Sequence, residues 1–221
     1  MLRIALNIDG KETNVDASSE RISADIIDFD LSGSEKANQS NIVVGIGKHV
    51  CGAAADMTMR CMDRYYEHRV SSKPDSSFCA SLCLALCCYH ASSWPIYVGK
   101  EFLYEALGIT TEEEFKTLIK MPSWYTCYLD GFVDKRKKET EQPTKKVKME
   151  PHSVIANPET KFVSDAAKDP RTAVGLLAHR ILSTGRLLYL QSLGYDAKLV
   201  LYTNVSHSLE NTLLVAKKVN K

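Results

Sequence analysis

Neither sign of charge is in excess: 28 Lys and Arg stand against 27 Asp and Glu, for a formal net charge of +1. A protein-wide basic field of the kind that announces nucleic-acid binding is therefore excluded, and any positive surface must be local. Long apolar runs are also missing. The longest, 78–89, falls far short of a membrane span, so no membrane partner is expected. The first residues, MLRIALNIDGKE, lack the apolar core and cleavage pattern of a secretory leader. No CxxC pair occurs, and no segment repeats. The cysteines number seven, and Cys51, Cys79, Cys83, Cys87 and Cys88 lie in or beside apolar runs. An odd count so placed argues against a secreted disulfide framework and for reduced thiols inside a cell.

What is present is an ordinary globular composition. Apolar residues make up 44% and charged residues 25% of 221, enough for one well-buried domain. Residues 22–31 (ISADIIDFDL) mix β-branched and aromatic residues with acids and read as a short strand with an acidic loop. IVVGIG, 42–47, is nearly all apolar, the pattern of a strand buried on both faces. Ala54, Met57, Cys61, Met62 and Tyr65 then recur at helical spacing. FCASLCLALCCYH, 78–90, reads as a second buried strand.

Downstream the signals are helical. A helix near 98–107 should stop at Gly108. Thr111 with Glu114 forms a capping-box pattern for the next, and Pro122 should end it. Asp169 and Pro170 read as N-cap and first residue of a long helix. Val174, Leu177, Ala178, Ile181, Leu182, Gly185 and Leu188 should form its buried side, and Gly194 should close it. AKLVLYT (197–203) and NTLLVAK (211–217) should pair as a hairpin. The order is α/β: a Rossmann-like sheet with buried parallel strands and an antiparallel end. Ligands bind such sheets at the carboxyl ends of the parallel strands.

Four clusters of reactive residues fall at those ends: Asp25 and Asp28; Gly47, Lys48, His49 and Cys51; Cys87, Cys88 and His90; and Glu210 with Asn211. Cysteine and histidine are zinc ligands. Without CxxC spacing, and with adjacent strand cysteines facing opposite ways, no metal site is expected. KRKK (135–138) and KKVK (145–148) resemble a bipartite nuclear import signal.

Taken together, several segments resemble one family. GIGKHVCGAAADMTMRC, the acidic segment ERISADIIDFDL, CCYHASSWPIYVGKEFL, PSWYTC and GRLLYLQSLGYDAKLVLYTNVSHSLENTLLVA are similar to the eukaryotic tRNA 2'-O-methyltransferases that modify the fourth acceptor-stem nucleotide, the tRNA:m(4)X modification enzymes. The resemblance runs from about residue 20 to 217. Residues 1–19 do not match, 20–133 form the first part of the methyltransferase domain, and 169–221 form its C-terminal helix and hairpin. It departs at Tyr89, Ala91, Ser92 and Pro122, where the family pattern has histidine, arginine, cysteine and serine.

The resemblance implies a class I methyltransferase sheet, N-terminally incomplete, with S-adenosyl-L-methionine as cofactor and tRNA as substrate, acting in the nucleus or cytoplasm. The glycine-rich cofactor loop and the zinc fingers of the family have no counterpart in residues 1–19, so the chain reads as a fragment and no zinc is expected. By position, Asp25, Asp28, Gly47 and Cys51 would face the cofactor, Lys48, His49 and His90 would serve the proton transfer, and Trp124, Glu210 and Asn211 would meet RNA. The rival readings are a non-catalytic remnant that binds RNA or a partner, and a Cys/His metal protein.

Residues 134–168 are charged, proline-punctuated and poor in large apolar side chains. They bury too little apolar surface to offset the entropy of ordering, and read as a mobile insertion. Limited proteolysis should cut first within 134–168. First cuts elsewhere, with this segment protected, would refute the assignment.

Overall fold

The computed structural model describes residues 3–5, 22–74, 77–127, 169–205 and 207–219. The charged segment 134–168, with both basic runs, lies outside the described residues, as do most of 1–19. Five strands form one mixed sheet: β1 (Arg3–Ala5), β2 (Ile42–Gly47), β3 (Cys79–Ala85), β4 (Asp196–Leu201) and β5 (Thr212–Val219), in the order β1-β2-β3-β5-β4. β2 and β3 are parallel, whereas β5 runs antiparallel to both β3 and β4. The helices are α1 (Glu35–Gln39), α2 (Ala53–Ser72), α3 (Lys100–Leu107), α4 (Glu112–Leu118), α5 (Pro122–Thr126) and α6 (Pro170–Ser192).

Register explains where the core sits. Gly45, Leu82, Ala216 and Ala197 lie in one row across the sheet, and Gly47, Leu84, Leu214 and Leu199 in another. These rows face the main core, with Met59, Met62, Tyr65 and Leu182 from α2 and α6. Strand side chains alternate, so the neighbouring rows face the other way. There Ile42 and Ile46 are about half exposed, at 52% and 49%. β2 is thus buried on one face, not on both as its apolar run suggests.

Residues 22–31 do not form a strand. Their aspartates satisfy the local backbone instead: Asp25 Oδ1 accepts from the Ile27 N–H at 3.1 Å and Asp30 caps a 3-10 turn at Leu31–Gly33. Asp side chains that bind nearby amides compete with strand pairing. The local helix signals fare better. Gly108 ends α3 in the left-handed conformation, the Thr111–Glu114 capping box is complete, and Asp169 caps α6 with Pro170 at its start. Pro122 opens α5 rather than simply ending α4.

The buried faces of the long helices follow the apolar pattern in part, with Cys61, Met62 and Tyr65 of α2 and Ala178, Leu182 and Gly185 of α6 buried, but they also take in polar residues. In α6, Val174, Leu177 and Leu188 are exposed, whereas Thr172, Gly175, His179, Ser183 and Arg186 are buried. In α2, Asp56 and Thr58 are buried with Ala55 and Met59. The cause is a buried ion pair. Arg186 Nε and Nη2 reach Asp56 Oδ1 and Oδ2 at 3.0 and 2.8 Å, with both side chains essentially inaccessible. Burial works against the Arg186 charge, and the Asp56 carboxylate outweighs it, so the guanidinium is held firmly protonated.

Asp56→Asn should cost about 3–5 kcal/mol, because it leaves the guanidinium buried without its counter-charge. Urea denaturation checks this, and a loss under about 1 kcal/mol would show that the pair is not what sets the helix faces.

Candidate functional site

β2 and β3 are parallel, so both carboxyl ends open at one edge of the sheet. From β2 the chain turns through Lys48 and His49, both exposed, into Cys51 and Gly52. From β3 it passes Leu86 to Cys88 and then a 3-10 turn at Tyr89–Ala91 that carries the exposed His90. These two turns touch backbone to backbone. Gly52 has φ +53°, and a Cβ placed there would stand 2.1 Å from the Ala91 carbonyl carbon. Only glycine fits that junction.

Arg186 locks the junction from below. Its Nη2 donates to the Gly52 carbonyl at 3.2 Å and to Ser92 Oγ at 3.0 Å, besides its bonds to Asp56. The guanidinium lies 5.5 and 5.4 Å from the ring centres of Tyr89 and Tyr97. Tyr89 shares a 2.8 Å hydrogen bond with Ser183, and its ring lies 4.5 Å from that of His179.

The junction gathers three thiols. β3 ends at Ala85, so Cys87 and Cys88 do not alternate across a strand, and Cys88 is left-handed at φ 47°. Cys51, Cys87 and Cys88 bring their sulfurs within 4.8 Å of one another, with Cys51 and Cys87 at 3.6 Å. Burial pushes the Cys87 thiol up strongly, and the neighbouring Cys51 adds to it; the hydrogen bond with Cys51 is the main cause that raises Cys88. The premise that adjacent cysteines must diverge therefore fails. From the hairpin loop before β5, Glu210 Oε1 accepts the Cys88 N–H at 3.4 Å.

The methyltransferase TRM13 family model matches residues 5–217. The chain is 28% identical to the mouse tRNA:m(4)X modification enzyme TRM13 homolog over 95% of its length and 51% of that protein's. The human homolog is 27% identical with the same two coverages. The tRNA:m(4)X modification enzyme TRM13 of Saccharomyces cerevisiae is 30% identical over 91% of this chain and 42% of its own. The chain belongs to the TRM13 methyltransferase family. It spans about half the length of the curated relatives it matches. No solved structure matches it.

In this TRM13 member the candidate residues divide by place. Lys48, His49, Cys51, His90 and Glu210 share the carboxyl edge. Asp25 and Asp28 lie in an exposed turn, and the backbone just beyond them, at Phe29, accepts from Cys61 and Arg64 of α2. Gly47 is enclosed by the chain's own core, since a Cβ there would meet Val50 at 2.4 Å and Leu84 at 2.9 Å. Asn211 is buried and donates to the Thr203 carbonyl at 2.8 Å, closing the hairpin. Trp124 is half-buried with Arg171 stacked 4.9 Å from its ring centre, on a helix that touches the 3-10 turn. Asp56, Arg186 and His179 escape a pattern reading. The one available signal is that His179, Leu182 and Arg186 follow helical spacing along a single stripe.

Among the described residues, no helix is long and apolar enough to cross a membrane.

Burial lowers the His179 pKa to about 4 from an ordinary 6.5. Between those values the unfolded chain holds more protons than the folded one, so stability is full above 6.5 and falls as pH drops through the window. From about pH 7 to pH 5 the loss from this group is about 2 kcal/mol. His179→Phe should remove that part of the slope in denaturation series, and parallel pH profiles for the two proteins would refute it.

Proposed function

We propose that this chain acts in S-adenosylmethionine-dependent 2'-O-methylation of tRNA, at the fourth nucleotide of the acceptor stem. The observation that carries the reading is the TRM13 match over nearly the whole chain. The sheet agrees with it. A parallel pair followed by a reversed strand between β3 and β4 is consistent with a Rossmann-like class I methyltransferase sheet. Its site of action is the nucleus or the cytoplasm.

Methylating a ribose hydroxyl needs a proton acceptor near the oxygen and a grip on the RNA that fixes its approach. Lys48, His49 and His90 stand exposed on the two turns that meet at Gly52 and Ala91. An imidazole on either turn would take the hydroxyl proton, and Lys48 would pair with a phosphate. Trp124 and Glu210 would contact the RNA, and Asn211 would shape the loop that presents Glu210.

S-adenosylmethionine would supply the methyl group. The described residues do not by themselves fit it. Gly47 offers no cradle because Val50 and Leu84 fill the space beside it, and Cys51 is engaged with Cys87. Asp25 and Asp28 remain as carboxylates for its adenosine end.

The test incubates the protein with labelled S-adenosylmethionine and tRNA, then digests the product with alkali. Label in an alkali-resistant dinucleotide from the acceptor stem supports the reading. His49→Ala or His90→Ala should then lower transfer by about 10²-fold for the acting base, with folding unchanged. Label in a base rather than a ribose would refute it. RNA binding with no transfer would favour a non-catalytic role.

A further inference from the structure

The strongest unassigned feature is the thiol cluster at the junction of the two turns. It brings together residues 36 apart in sequence. Gly52 makes the contact possible, and the left-handed Cys88 turns the second sulfur of the Cys87–Cys88 pair toward Cys51.

We infer that Cys51, Cys87 and Cys88 form a binding site for one thiophilic divalent cation of the zinc class, with three thiolate ligands and a fourth position open to water or an incoming group. A tetrahedral zinc with bonds of about 2.3 Å separates its sulfurs by about 3.8 Å. Cys51 and Cys87 lie 3.6 Å apart, and all three sulfurs fall within 4.8 Å, so small side-chain rotations complete the geometry. A disulfide would have to shorten a sulfur pair to about 2.05 Å and would leave the third thiol unused. Three thiolates at this spacing repel one another, and a dication between them removes the repulsion.

Cys51 and Cys88 are half-buried, which leaves the cluster a route for entry, while Cys87 is buried. Glu210 accepts the Cys88 N–H and so brings a carboxylate next to one of the three ligands. The bound cation would tie the turn after β2 to the segment after β3. The inference stands on sulfur geometry and is independent of the tRNA reading.

Cobalt(II), added to the reduced chain, is the probe. About one equivalent should bind, with sulfur-to-cobalt charge-transfer absorption that zinc abolishes. Cys51→Ser, Cys87→Ser and Cys88→Ser should each weaken cobalt binding by more than about tenfold and remove about a third of the charge-transfer intensity, whereas Cys79→Ser and Cys83→Ser should change neither. Should a serine variant not fold, the wild-type chain decides the matter by alkylation. Zinc should newly shield Cys51 and Cys88, the two half-buried thiols of the cluster, and no cysteine outside it, from N-ethylmaleimide in peptide mapping. Absence of cobalt binding, binding indifferent to Cys51→Ser, shielding at other cysteines, or a Cys51–Cys87 disulfide in place of metal binding would each overturn the inference.

Discussion

Everything at the carboxyl edge of this sheet depends on one guanidinium. Arg186 sits in the last third of α6, is 1% exposed, and has partners from three separate parts of the chain: Asp56 in α2, the Gly52 carbonyl after β2, and Ser92 after β3. A buried charge is tolerated only when its hydrogen-bonding directions are met. Here those directions are fixed by a planar fork. The requirement to satisfy it sets where α6 crosses α2 and how the two turns stand to each other. Replacing such a pair with apolar residues often preserves stability, so its contribution here is to arrangement more than to net free energy.

The same requirement explains which parts of the fold could be read from sequence. Caps and turn stops were legible because their physics is local. Thr111 and Glu114 satisfy each other within one turn, Asp169 needs only the Thr172 amide, and Gly108 needs only a positive φ. The orientation of α6 was legible in part: Ala178, Leu182 and Gly185 are buried as their spacing says, but its polar buried residues were not foreseen. Val174, Leu177 and Leu188 make a plausible apolar stripe, but a helix carrying a buried arginine turns toward the partner that satisfies it. Composition does not reveal that the partner is an aspartate 130 residues earlier.

Sheet and site divide in a similar way. The strands 42–47, 79–85, 196–201 and 212–219, and their hairpin, follow from apolar runs bounded by turn residues. The acidic segment 22–31 did not become a strand because its aspartates bind their own backbone amides. That Cys51, Cys88 and Glu210 fall at one edge follows from strand direction and was legible, but the gathering of the Cys51, Cys87 and Cys88 sulfurs was not, because it depends on the left-handed Cys88 and the contact of Gly52 with Ala91. The inward turn of Asn211 and the packing around Gly47 depend on particular neighbours, Thr203, Val50 and Leu84, that no spacing encodes.

The non-glycine residues with positive φ among those described are His49 and Cys88, and they flank the same junction. Each such conformation costs about 1 kcal/mol or more and persists only where surrounding structure imposes it. Local sequence does not impose it here, since neither residue has the freedom of glycine. The imposing structure is the contact of Gly52 with Ala91, clamped by Arg186 and backed by Tyr89 on Ser183 and His179. Relaxing either residue toward negative φ would redirect its side chain, moving an exposed imidazole in one case and a cluster sulfur in the other. The buried ion pair and the exposed edge are therefore parts of one device: a rigid, desolvated anchor beneath holds two strained turns above, and those turns hold the chemistry-bearing side chains at the mouth of the sheet.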